Sequence, residues 1–224
     1  MAQLTLCPPD FSANLPSPAV YVSLIDRLLY RYPFEGASAR RYATLERPAF
    51  GDLDERILDA LALAPTARLL DLGCGPGKLA DAARRRHPAV HVIALDPSRD
   101  FASRPGYLRA AGEALPLADR SIDVAVCLSS IRHVKDRAQT LRELRRVVRD
   151  KLLVVELDPS ADRARIANHA DHIASVVLRR AFGPLVVRTA PPAEVLQEVA
   201  EAAGWQLRSL APDPVQPVYL MELA

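Results

Sequence analysis

The sequence predicts an α/β protein with a doubly wound, mostly parallel sheet, and three observations carry that reading. From Arg68 onward, short apolar runs alternate with longer stretches of helical periodicity, the order expected of parallel strands joined by crossover helices. The first of those runs ends in an acid and breaks into three alternating glycines, a tight strand-to-helix turn. The 224 residues are 50% hydrophobic, enough for one core in one domain.

Taken in order, residues 20–30 and 53–63 carry amphipathic helical spacing ahead of the sheet. Strands read at 68–72, 91–95, 122–127, 152–157, 206–210 and 216–222. Between them, 78–86 predicts a helix, and 137–149 places Leu141, Leu144, Val147 and Val148 on one stripe among solvated arginines. Residues 162–182 read as one long helix from Ile166, Ile173, Val176 and Val177. Residues 192–203 open on proline, put Val195, Leu196 and Val199 on one stripe, and stop at Gly204. No internal repeat is present, which excludes a solenoid.

Composition narrows the function classes. The 29 basic and 27 acidic residues are interspersed and sum to +2, so no polybasic stripe offers itself to nucleic acid. Cys7, Cys74 and Cys127 are odd in number and widely spaced, forming neither a disulfide framework nor a metal-ligand pattern. No leader-like apolar start and no stretch near the roughly 18 apolar residues of a membrane span are seen. The expectation is a soluble cytoplasmic protein without a metal.

The sharpest chemical feature is Asp71-Leu72-Gly73-Cys74-Gly75-Pro76-Gly77-Lys78-Leu79. Glycines allow positive φ and close approach of a ligand, and the following helix offers its N-terminal amides to electronegative groups. A dinucleotide loop needs glycine three residues after Gly75, where Lys78 stands. A phosphate loop needs glycine at Leu72 and a hydroxyl at Leu79. The bland alternative is a tight turn that holds no ligand.

What remains, an acid followed by Gly-x-Gly-x-Gly, resembles the first motif of class I S-adenosylmethionine-dependent methyltransferases. Two further segments share the likeness: Leu95-Asp96-Pro97-Ser98 at the second strand tip, and Gly112-Glu113-Ala114-Leu115-Pro116, similar to the family's adenine loop. An acid at the position of Asp96 can accept both hydrogen bonds of a ribose diol. The loop Ser129-Ser130-Ile131-Arg132-His133 matches the one that lies beside the methyl group in small-molecule members, and the segment from Ser130 to Glu156 is similar to the quinone-biosynthesis C-methyltransferases.

The resemblance implies a Rossmann-like sheet of about seven strands at 49–224, with a helical cap at 1–48 and a cap insertion at 158–190. It also implies S-adenosylmethionine as cofactor, S-adenosylhomocysteine as product and a small-molecule methyl acceptor, and allows a homodimer. By analogy Asp71 and Gly73, Cys74, Gly75 and Gly77 hold the methionine portion, Asp96 and Pro97 the ribose, Gly112 and Glu113 the adenine end, and Ser129 the reacting side. Two departures stand out: Ala111 replaces the aspartate that often accepts the adenine amino group, and Arg149-Asp150-Lys151 replaces a Pro-Gly-Gly turn.

His133 is the candidate catalytic base and a candidate substrate contact, since imidazole titrates near neutrality and an acceptor that must lose a proton needs one. Tyr42, with Tyr30, Tyr32 and Phe34, is a candidate pocket lining, with packing among N-terminal helices as the plain alternative. His169, His172 and Asp158 have metal-ligand spacing but are explained as surface positions on a cap helix. Behind the methyltransferase reading stand an inactive cofactor-binding partner subunit and a nicotinamide-dependent oxidoreductase.

Overall fold

The computed structural model describes residues 34–44, 51–102, 104, 106–170 and 176–224. Helices α1 (Gly36–Thr44) and α2 (Leu53–Leu61) precede the sheet, which begins with β1 (Arg68–Leu72), α3 (Lys78–Arg86), β2 (His91–Asp96) and β3 (Tyr107–Arg109). Then come β4 (Ile122–Leu128), a 3-10 turn (Ile131–His133), α4 (Arg137–Val147) and β5 (Val148–Leu157). Helices α5 (Arg163–His169), α6 (Val176–Thr189) and α7 (Ala193–Ala202) lead to the closing hairpin of β6 (Leu207–Pro212) and β7 (Val218–Leu223).

The seven strands lie in the order β3-β2-β1-β4-β5-β7-β6, parallel except at β7, which runs antiparallel to β5 and β6. The order reverses between β1 and β4, so the crevice at the carboxyl ends of the strands opens there, in front of Asp71 and Asp96.

Period-2 alternation sends Leu70 and Leu72 to one face and Leu69 to the other. On the first face they join Leu141, Leu144 and Trp205 beneath α4 and α7; on the second, Leu69 joins Leu53, Ile57 and Leu79 beneath α2 and α3. Each of these fully buried leucines contributes about 2 kcal/mol of transfer free energy. Asp71 shares the face of Leu69, which is why the N-terminus of α3 reaches its carboxylate.

Several sequence expectations change. β3 was not anticipated: it is three residues long and lies at the sheet edge. α4 passes directly into β5 at Val148, so Arg149-Asp150-Lys151 is strand rather than turn, with an irregular register opposite Ile122 and Val124. The single helix expected over 162–182 is two: α5 ends at His169, and α6 runs through Pro184 to Thr189. His169 is not a surface residue but is 4% exposed, its Nδ1 3.0 Å from Gln216 Oε1. The helix expected at 20–30, with Tyr30, Tyr32, His172 and Ile173, lies outside the described residues.

Candidate functional site

The glycine turn is built by close packing on both sides. Gly73, Gly75 and Gly77 all sit at positive φ, between +53° and +80°. A Cβ on Gly73 would lie 2.5 Å from Ser130 Cβ, and one on Gly77 would strike the Tyr107 hydroxyl. Only residues without a side chain bring β1, β4 and β3 this close.

The turn consumes its own donors. The Gly73 and Cys74 amides donate to Leu95 O at 2.8 and 3.1 Å, Gly77 N–H donates to Cys74 O at 2.9 Å, and Gly75 N–H donates to Asp96 Oδ2 at 2.9 Å. These four amides are therefore already paired within the turn. What the loop leaves open is an acceptor. Asp71, 2% exposed, accepts the Ala80 N–H, while its Oδ2 is buried and meets no donor among the described residues. Burial first, then the charges of Asp54 and Asp96, raise its pKa to about 7. A buried carboxylate with a free oxygen fits a cationic group, and a pyrophosphate would repel it.

Asp96 is fixed by two amides, Gly75 N–H on Oδ2 and Ser98 N–H on Oδ1, at 2.9 and 2.8 Å. Each oxygen keeps a second lone pair for a diol. Burial raises its pKa against these two bonds. Pro97 follows it directly, its carbonyl accepting Arg109 Nε at 3.2 Å.

In the segment similar to an adenine loop, Gly112 is buried, and a Cβ there would come 2.8 Å from Thr140 Cγ2. Glu113 turns elsewhere: its Oε1 accepts the Lys135 and Asp136 amides at 2.7 and 3.1 Å, tying the loop to the start of α4. Its carboxylate thus fastens the loop.

The loop after β4 is clamped to the same crevice. Ser129 adopts φ +50°, unusual for a residue with a Cβ, and its amide donates to Val155 O at 2.7 Å. Ser130 Oγ donates to Leu72 O at 2.7 Å, beside Gly73. His133 accepts from Arg132 Nε at 3.1 Å through its Nε2, and its ring meets that of Phe34 edge-on at 5.3 Å. Burial, then Arg132 and Arg137, hold the His133 pKa well below the usual 6.5. The ring is neutral, and it can take a proton on Nε2 only by giving up the Arg132 bond.

Tyr42 joins His133 through Phe34, with centroids 5.4 Å apart, and lies 6.1 Å from Phe101, whose ring edge borders Gly75. Segment 34–44 is tied to the tip of β2 by Ser98 Oγ on Phe34 O and by Gly36 N–H on Asp100 Oδ2 at 2.7 Å. Contacts therefore connect Asp71, Gly73, Cys74, Gly75, Gly77, Asp96, Ser129, His133 and Tyr42 at the carboxyl ends of the strands. The structure does not bring His169 and Asp158 to a shared site: His169 pairs with Gln216, and Asp158 with Ser160 Oγ at 2.6 Å.

Three contributors escaped sequence reasoning: Phe101, Ser98 as the link to Phe34, and Glu156. Glu156 is 0% exposed at the tip of β5. A lone acid inside the run Leu152-Leu153-Val154-Val155-Glu156-Leu157 was the signal available.

Residues 70–155 match the model of a methyltransferase domain. An uncharacterized methyltransferase of Mycobacterium bovis is 35% identical over 140 residues, 58% of this chain and 54% of that protein. The ubiquinone/menaquinone biosynthesis C-methyltransferase UbiE of Syntrophotalea carbinolica is 33% identical over 135 residues, 53% of this chain and 57% of UbiE. The chain thus spans about half the length of the curated relatives it matches. A crystal structure of a methyltransferase from Aquifex aeolicus shares the fold with a TM-score of 0.66 at 13% identity, over 84% of this chain and 96% of that one.

Proposed function

We propose that this chain, which carries a methyltransferase domain of the class I S-adenosylmethionine-dependent family, binds S-adenosylmethionine and transfers its methyl group to a small molecule. The observation that carries the reading is the Asp71 carboxylate: buried, with an open oxygen, in a turn whose own amides are already spent. That arrangement asks for a cation at β1 and offers no cradle to the pyrophosphate of a dinucleotide.

The bound cofactor supplies an electrophilic methyl on a sulfonium. The protein's part is alignment and electrostatics. Asp71 holds the ammonium of the methionine portion, and Asp96, made rigid by Gly75 and Ser98, takes the ribose diol. Gly112 backs the adenine end. The loop from Ser129 to His133 borders the acceptor, and a neutral His133 adds no charge beside a sulfonium. Burial first of all pushes the Cys127 thiol up to about 12 and the Cys74 thiol higher still. Both stay protonated and do not compete for the methyl. Tyr42 and the segments 1–48 and 158–190 select the acceptor.

Calorimetry with S-adenosylhomocysteine and S-adenosylmethionine, followed by a turnover assay for S-adenosylhomocysteine over a panel of acceptors, tests the reading. Binding with turnover on one acceptor supports it. Binding of both forms with turnover on none points to a partner subunit without catalysis, and tight binding of a nicotinamide dinucleotide in their place refutes it.

A further inference from the structure

We infer that Arg132 is a positioning residue: its guanidinium, set between the Glu156 carboxylate and the His133 ring, fixes that ring as the tautomer whose one proton sits on Nδ1. An arginine donates and never accepts, so a ring nitrogen 3.1 Å from its Nε must be the bare one, and that nitrogen is Nε2. The other tautomer would set N–H against N–H.

The guanidinium cannot drift, because it is held from β5. Its Nε lies 3.6 Å from Glu156 Oε1, and the Arg132 amide donates to Glu156 Oε2 at 3.4 Å. Glu156 is itself anchored by the Leu157 amide at 2.8 Å. Side-chain exposure is 13% for Arg132 and 0% for Glu156, so water does not loosen the pair. The 3-10 turn that carries Arg132 and His133 is closed by His133 N–H on Ser130 O at 2.9 Å.

Among the described residues, the charged groups facing the ring include Arg132 on its own turn and Arg137 on α4; Glu156 on β5 acts on it through Arg132, and from the N-terminal side Phe34 presents an aromatic edge. Burial raises the Glu156 carboxyl against the charge of Arg132, and burial first, then Arg132 and Arg137, disfavours the charged imidazole. The ring thus stays uncharged at physiological pH, which spares a neighbouring sulfonium a like charge. This role rests on the reading that the 129–133 loop borders the reacting centre; the tautomer does not.

The test is nitrogen NMR of protein labelled in its five histidines, with the ring signal assigned by His133→Asn. The wild type is expected to show a bare Nε2 and a single tautomer from about pH 8 down to about pH 5. In Arg132→Met both tautomers should appear, and the titration midpoint should climb toward the ordinary value near 6.5. That variant leaves Glu156 buried alone, so Arg132→Met with Glu156→Gln is read if the single variant does not fold. Glu156→Gln by itself keeps the Arg132 bond and should keep the bare Nε2. A tautomer and midpoint unchanged by loss of Arg132 would overturn the lock. Adding S-adenosylhomocysteine should move the His133 signal; a signal that stays put overturns the placement of the loop at the cofactor, independently of the tautomer.

Discussion

Asp71 is a residue whose surroundings set its protonation against its task. With its pKa raised to about 7, it is mostly protonated at pH 6 and mostly ionised at pH 8. A cationic ligand group needs the ionised form, so S-adenosylhomocysteine should bind about tenfold more weakly at pH 6 than at pH 8, by the simple ratio of ionised fractions. Calorimetry at the two pH values reads this. Asp71→Asn should bind weakly at both and lose the slope; a slope that survives in the variant assigns it to another group. Gly77 makes a purely steric counterpart. Its φ is +80° and an added Cβ would strike the Tyr107 hydroxyl, so Gly77→Ala should cost roughly 1–3 kcal/mol in urea unfolding and weaken the ligand site with it.

The elements that carry strong periodicity were legible in the sequence. β1, α3 and β2 are bounded by an acid, glycines or arginines, and match their expected spans within a residue. α4 and β5 were harder to separate because no glycine or proline stands between Val147 and Val148, so apolar spacing runs on while the backbone changes from helix to strand. β3 escaped because Tyr107-Leu108-Arg109 is too short to show a period. The meeting of the Asp71 to Gly77 turn with Asp96 was legible because each ends a strand in a local pattern of acid and glycine or proline. The site was not legible where partners come from afar, as with Glu156 on Arg132, 24 residues apart. The same holds for Arg56 on α2, which reaches Asp213 in the closing hairpin with two bonds of 3.0 Å. Burial raises the Asp213 pKa, but the Gln216 and Val215 amides and Arg56 outweigh it, and the net shift is downward. A depressed acid adds stability that is present above its unfolded pKa near 3.8 and is lost as pH falls through the lower folded value. Arg56→Ala should therefore cost roughly 2 kcal/mol at neutral pH, and the deficit should shrink below about pH 4, as urea titrations at several pH values would show.

At the scale of the whole molecule, the candidate site gathers buried carboxyl groups at the carboxyl edge of the sheet. β1 and β2 end in two buried acids, Asp71 and Asp96, both with pKa values raised chiefly by desolvation. A carboxyl group raised above its unfolded pKa takes up a proton on folding, so it lowers stability as pH climbs from the unfolded value toward the folded one. For Asp71 that loss accrues between about pH 4 and pH 7, and above pH 7 the empty protein holds a buried, incompletely solvated charge. A cationic ligand group beside Asp71 would relieve it. At a hundredfold excess over the dissociation constant, a ligand that binds only the folded chain adds about 2.7 kcal/mol, which for a domain of this size is a rise of roughly 5–10 °C in Tm. At one fixed concentration of S-adenosylhomocysteine the rise should be larger at pH 8 than at pH 6, because the tenfold difference in affinity is worth about 1.4 kcal/mol. Thermal melts with and without ligand at both pH values decide it. Equal rises would mean that the cation does not rest on Asp71, and that the unpartnered oxygen at the end of β1 serves the fold alone.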